Sequence, residues 1–244
     1  MQGCMLIHGF TGSPHEVRPL AEHFKQHTEW LIHTPTLPGH GEGESLRGVE
    51  WRDWIAYAEQ ECEQFARQCS ELYLVGFSMG SLIAAYLANR FPARKLVLLS
   101  PAVYAPNPQQ MLKDVADILR EGWEDNEAIL ANLERYKAKI TQTPLRAVIQ
   151  FRKLVRTLTP EIDQLDLPVL IIHGQKDDLA DPRSADYVYQ RVKSPCKEIV
   201  WLEKSKHVIC HDCEQELVIN KVSQFFDIPT TDGTGSKVGM GRSR

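Results

Sequence analysis

Short apolar runs with no polar alternation recur along this chain, and most are followed at once by a stretch with helical spacing. A strand that is apolar on both faces must be covered on both faces. Runs of that kind alternating with amphipathic helices describe a parallel sheet with helices on each side. The predicted strands are Cys4–His8, Trp30–Thr34, Glu71–Gly76, Lys95–Ser100, Val169–His173 and Glu198–Leu202. The predicted helices are Pro14–His27, Trp51–Gln68, Met79–Arg90, Pro182–Arg191 and Glu214–Phe226. In the first of them Val17, Leu20 and Phe24 share one face. Ligands of such sheets bind outside the carboxyl ends of the strands.

The alternation breaks between residues 103 and 160, where only helical patterns occur. Ile129, Leu133, Tyr136 and Ile140 fall on one helical face, and Val148, Phe151, Val155 and Leu158 on another. The organisation predicted is an α/β core over 1–102 and 161–227. A small helical cap over 103–160 is inserted after the fourth strand, at the carboxyl edge of the sheet. Residues 228–244 are rich in Gly, Thr and Ser without an apolar period and read as a flexible tail.

Composition narrows the function classes. With 28 basic and 32 acidic residues the net charge is −4, which gives no electrostatic footprint for nucleic acid. No apolar run approaches the roughly 20 residues of a membrane span. The start, MQGCMLIHGF, lacks the charged and apolar regions of a signal peptide. Six scattered cysteines and no Asn-x-Ser/Thr acceptor suit a reduced, cytoplasmic setting. A monomer or homodimer with a small-molecule substrate is expected.

The stretch LYLVGFSMGSLIAAYLANRFP sets Ser78 between Gly76 and Gly80, where a strand ends and a helix begins. Glycines at those places allow a turn too tight for side chains, which holds the serine out for chemistry. A serine hydroxyl needs a base, and the base needs an orienting acid. The turn after VLIIH offers Asp177, Asp178 and Asp181. Asp181, before Pro182, reads as a helix N-cap. Asp177 is nearest the strand end and is favoured as the acid, with Asp178 as the alternative. After the last strand His207 comes first, and His211 reads as a surface residue of the next turn. The order Ser78, Asp177, His207 is that of the α/β-hydrolase fold. The backbone amide of Met79 would supply one oxyanion donor and that of Phe10, in HGFTGSP, the other. The Phe10 side chain would wall the pocket.

The chain resembles the serine α/β-hydrolases and, among them, bacterial carboxylesterases and monoacylglycerol lipases. The resemblance rests on HGFTGSPHEVRPLAEHF, PGHGEG, GFSMGS, QTPLRAV, GQKDDLADPRSA and SPCKEIVWLEKSKHVICHD, which together span residues 4 to 226. It implies the roles just given for Ser78, Asp177, His207, Phe10 and Met79, and a cap over the site. Such relatives carry a further strand or two before HGFTG, so about six parallel strands are expected here.

Other features read as structural. His8 reads as a core histidine, and His40 as a residue shaping a loop near the pocket. Trp51 and Trp54 read as packing. The cluster His207, Cys210, His211 and Cys213 lacks the distant second ligand pair of a zinc site. The resulting expectation is a carboxylesterase for short- to medium-chain esters, without metal or cofactor. The acyl chain would lie against Phe10, Ile129, Leu133 and Val148. A monoacylglycerol lipase is the alternative. From another class, the alternative is a non-catalytic ligand-binding protein on the same fold. A peptidase of this fold has no supporting feature in the sequence.

Overall fold

The computed structural model describes residues 1–104 and 143–228. Six strands form one parallel sheet: β1 (Gln2–Ile7), β2 (Leu31–His33), β3 (Glu71–Phe77), β4 (Ala93–Leu99), β5 (Val169–Gly174) and β6 (Lys197–Leu202). Their order across the sheet is β2-β1-β3-β4-β5-β6. The chain leaves β1 toward one edge and later returns to its other side as β3. The carboxyl ends of β1 and β3 therefore flank the point where strand order reverses, which is where open α/β sheets hold their ligands.

Alternate residues of each strand feed two cores, as a pleat with period two requires. Met5, Leu74, Leu98 and Ile171 face helices α2 (Trp51–Ala66), α3 (Met79–Ala88), α4 (Leu145–Leu158) and α5 (Arg183–Arg191). Cys4, Leu6, Val75, Val97 and Leu170 face α1 (Arg18–His27) and α6 (Gln215–Phe225). Helix α1 contributes Leu20 and Phe24 to that core, and α6 contributes Val218 and Val222.

Two sequence boundaries shift for local reasons. The helix expected over 14–27 is a 3-10 turn, Pro14–Val17, followed by α1. Pro19 has no N–H to continue the ladder between them. Helix α5 begins at Arg183 rather than Pro182. Asp181 still serves its start, because its carboxylate accepts the Arg183 N–H at 2.9 Å.

Within the block 103–160, helix α4 buries Phe151, Leu154, Val155 and Leu158 in the same core as α2 and α3. Pro144 precedes its first turn. Ile129, Leu133, Tyr136 and Ile140 lie outside the described residues, as does the tail after Ile228. Among the described residues, no helix is long and apolar enough to cross a membrane.

Candidate active site

Ser78 sits between the end of β3 and the first residue of α3 with φ 53° and ψ −116°. That conformation is sterically costly for a residue with a Cβ and survives only where the surroundings impose it. The two glycines explain how. A Cβ on Gly76 would lie 2.2 Å from the Gly80 carbonyl oxygen. A Cβ on Gly80 would lie 2.3 Å from the Ile7 oxygen and 2.6 Å from that of His8. Only hydrogen atoms fit at both places, so α3 starts directly against the end of β1. The Ser81 hydroxyl ties the turn shut by donating to the Gly76 carbonyl at 2.8 Å.

The other two groups arrive from the far side of the sheet. Gly174 ends β5, and a Cβ there would meet the Ser205 and Lys206 oxygens at 2.3 and 2.4 Å. This close passage lets the loop after β6 cross the tip of β5 and deliver His207. The buried Ser100 hydroxyl, at the end of β4, donates to the His207 carbonyl at 2.9 Å and fixes that loop. His207 Nε2 is then 3.0 Å from Ser78 Oγ. Its Nδ1 is 2.7 Å from Asp177 Oδ2. A carboxylate can only accept, so the partners assign the proton to Nδ1 and leave Nε2 free to take the serine proton. All three side chains are buried.

Asp177 accepts from three donors, and a fourth, His173 Nε2–H, is shared between it and the Ala180 carbonyl at 3.3 Å. Oδ1 accepts the Leu179 N–H at 2.9 Å and the Ala180 N–H at 2.8 Å. Oδ2 accepts His207, and His173 Nε2 also stands 3.1 Å from it. Burial alone would raise the Asp177 pKa. The charge of His207 and the hydrogen bonds from His173, His207 and the Ala180 amide outweigh it and hold the carboxyl well below the usual carboxylate range. Burial likewise works to lower the His207 pKa. The charge and hydrogen bond of Asp177, with smaller contributions from Glu16 and Asp178, win and raise it above the ordinary value of 6.5. Asp178, the alternative acid, points away: its side chain is 49% exposed and lies 4.0 Å from Lys206 Nζ.

The loop after β1 lies against Ser78, since a Cβ on Gly9 would be 3.1 Å from Ser78 Cβ. Among the described residues the Phe10 N–H makes no backbone hydrogen bond. Met79 opens α3, where amides have no carbonyl of their own helix to bind. The Phe10 ring stacks on Phe151 at 4.8 Å and meets the edge of Trp54 at 5.8 Å. Val148 is buried one turn earlier on α4. Trp54 is fully buried, and its indole N–H donates to the Pro38 carbonyl at 3.0 Å. His8 is buried as well. Its Nδ1–H donates to the Gly9 carbonyl at 2.8 Å, and its Nε2 accepts the Leu37 N–H at 3.1 Å.

The residues of the His207, Cys210, His211 and Cys213 cluster are engaged separately. His207 faces Asp177 and Ser78, and His211 Nε2 lies 2.7 Å from the His15 carbonyl, which accepts its proton. Cys210 is buried and Cys213 exposed. The sequence reading missed Ser100, His173 and Glu16. Only His173 carried any signal, as a polar residue closing an otherwise apolar strand.

With a serine on the turn after β3, an aspartate after β5 and a histidine after β6 of a parallel sheet, the chain is a serine hydrolase of the α/β-hydrolase fold. The chain belongs to the serine aminopeptidase S33 family (Hydrolase_4), whose pattern it matches over residues 2–214. It is 30% identical over 226 residues to a thermostable monoacylglycerol lipase of Bacillus sp. strain H-257, covering 92% of this chain and 90% of the relative. To a carboxylesterase of Bacillus subtilis strain 168 it is 24% identical, covering 91% of each. A solved structure from work on the metagenome-derived lipolytic enzymes LipS and LipT superposes with TM-score 0.71, covering 92% of this chain and 93% of that one at 24% identity. These relatives are esterases and lipases, and the chain stands among them.

Proposed function

We propose that the protein hydrolyses carboxylic esters of short to medium acyl chain through an acyl-enzyme on Ser78. The observation that carries this reading is the hydrogen-bonded line from Ser78 Oγ through His207 to Asp177, at 3.0 and 2.7 Å. His207 Nε2 takes the Ser78 proton as Oγ attacks the ester carbonyl carbon. The carbonyl oxygen becomes an oxyanion beside the Phe10 and Met79 amides. Asp177 stabilises the imidazolium without taking its proton. His207 then gives that proton to the leaving alkoxide oxygen, and the C–O bond breaks. In the second half a water gives a proton to His207 and its oxygen attacks the acyl carbon. Ser78 departs with the proton and the carboxylic acid is released.

Monoacylglycerol hydrolysis is a second reading of the same site. The 30% identity to the Bacillus lipase, against 24% to the carboxylesterase, supports it. The stacked Phe10–Phe151 pair offers an apolar wall to either acyl group. The test compares kcat/KM on p-nitrophenyl esters of increasing chain length with that on long-chain monoacylglycerols. A serine-directed phosphonate should label the wild type once, at Ser78, and S78A not at all. A folded wild-type protein that takes no label and cleaves none of these esters would sink the reading. A clear preference for long-chain monoacylglycerols would favour the lipase.

A further inference from the structure

We propose that Glu16 and His40 are positioning residues that clamp the loop carrying the Phe10 amide from both sides. This rests on the reading of Ser78 as an acylating nucleophile and of Phe10 N–H as an oxyanion donor.

The loop runs from Gly9 to Gly12 and closes on itself through the Gly12 N–H donating to the Gly9 carbonyl at 3.3 Å. Thr11 is left-handed, with φ 61°. Two glycines and a left-handed residue make a segment with much conformational freedom to lose. An oxyanion donor is effective only when it is already aimed at the place where charge will develop. The amides on either side of Phe10 are each held by a buried side chain. Gly9 N–H donates to Glu16 Oε2 at 2.9 Å, and Thr11 N–H donates to His40 Nε2 at 3.2 Å. The Phe10 amide lies between these two anchored neighbours.

The anchors are built in. Glu16 is 5% exposed and His40 7%. A Cβ on Gly12 would lie 2.0 Å from Glu16 Oε2, so the loop wraps around the carboxylate. Burying a carboxylate costs free energy that an apolar residue in the same place would not. On the other side, His40 Nδ1–H donates to the Pro38 carbonyl at 3.1 Å. That fixes the tautomer in which Nε2 accepts. The Phe10 ring also meets the edge of the His40 ring at 6.3 Å, so ring and amide are registered together. Around Glu16 stand His207 and Cys210, both of which feel its charge, and His15 on its own turn, stacked on His211. The charges that bear on His207 are those of Asp177, Glu16 and Asp178.

The test uses the full chain, with E16A and H40L removing the acceptors and E16Q and H40Q keeping one. It measures kcat and KM on p-nitrophenyl butyrate, and inhibition by a trifluoromethyl ketone, whose serine adduct carries the oxyanion. E16A and H40L should lose about 10- to 100-fold in kcat, part of the loss expected for a missing oxyanion donor. KM should hold within about threefold, and the ketone should weaken by the same factor as kcat. E16Q and H40Q should recover most of both losses. E16Q should also move the acid limb of kcat/KM to lower pH, because it removes a charge that raises the His207 pKa. Wild-type kcat and ketone affinity in folded E16A and H40L would overturn the proposal. If those variants do not fold, native-state amide exchange of the wild type decides. Gly9 and Thr11 must be protected, and fast exchange at both overturns the clamp. An active wild type with unaffected variants refutes the clamp alone, whereas an unlabelled, inactive wild type refutes the functional reading itself.

Discussion

The replacement Asp177→Asn probes the site most sharply, because it changes one atom in a side chain with four donors aimed at it. Asparagine offers one acceptor oxygen and one NH2 group. If the oxygen stays with the Leu179 and Ala180 amides, the NH2 faces His207 Nδ1–H at 2.7 Å and His173 Nε2–H at 3.1 Å. If the amide flips, two buried backbone donors lose their acceptor, at about 1–3 kcal/mol each. His173 Nε2–H retains the Ala180 carbonyl at 3.3 Å, so only His207 must move a proton; that is cheaper than the flip, so the oxygen stays on the backbone and His207 shifts its proton to Nε2. That nitrogen, 3.0 Å from Ser78 Oγ, then cannot accept the serine proton. The expected loss is about 10⁴ in kcat, or roughly 5.4 kcal/mol of barrier. The acid limb of the residual activity should move to lower pH, since the Asp177 charge is the main influence raising the His207 pKa. The assay is p-nitrophenyl butyrate hydrolysis beside circular dichroism and thermal melting. A folded D177N protein with more than about a tenth of wild-type kcat would refute this account of the acid.

The wild-type kcat/KM profile should lose activity on acidification with an apparent pKa above 6.5, because His207 must be neutral to act as base and its pKa is raised; a limb at or below 6.5 contradicts this. D178N should stay within about threefold of wild type in kcat, as expected for a half-exposed carboxylate whose nearest cation is 4.0 Å away. H173L removes a donor that helps depress the Asp177 pKa, and H173Q keeps one. The stability that Asp177 contributes is present above the unfolded carboxyl pKa and is lost as pH falls through the folded value. Acid unfolding of H173L should therefore begin at higher pH than in wild type or H173Q, as followed by circular dichroism. G80A pushes a Cβ to 2.3 Å from a fixed backbone oxygen of β1, so it should cost about 1–3 kcal/mol or more and most of the activity; an unchanged melting temperature would show that the turn relaxes.

The elements were legible because their signals are local. Apolar runs such as VLIIH and KLVLLS, and the spacing of Leu20 and Phe24, depend on neighbours a few residues away. The Gly76-Phe77-Ser78-Met79-Gly80 turn was legible for the same reason, since its steric demand is met within one strand end and one helix start. The helix start at Pro14 could be read, but its break at Pro19 depended on how a 3-10 turn meets an α-helix.

The chain alone thus determined an alternating α/β core, a serine on a tight turn between strand and helix, and an aspartate and a histidine in matching order after later strands. Between Asp177 and Asp178 it favoured Asp177 only by its nearness to the strand end, because adjacent residues share one local signal. The turn in which Asp177 N–H donates to the Gly174 carbonyl at 3.2 Å belongs to a loop that presents one carboxylate inward and the other to solvent. Nor could it reveal the contacts that Ser100, His173 and Glu16 make around the site, or which amide His40, read as shaping a loop near the pocket, would meet. Their partners lie four to 107 positions away, and the longer of those contacts exist only once the parallel register brings the strand ends together. Period and turn chemistry act over a few residues, so a sequence displays them directly. The hydrogen bonds from His207 to Asp177 and Ser78, from Ser100 to the His207 carbonyl and from Thr11 to His40 join separate strand ends, and only the folded sheet decides which donor meets which acceptor.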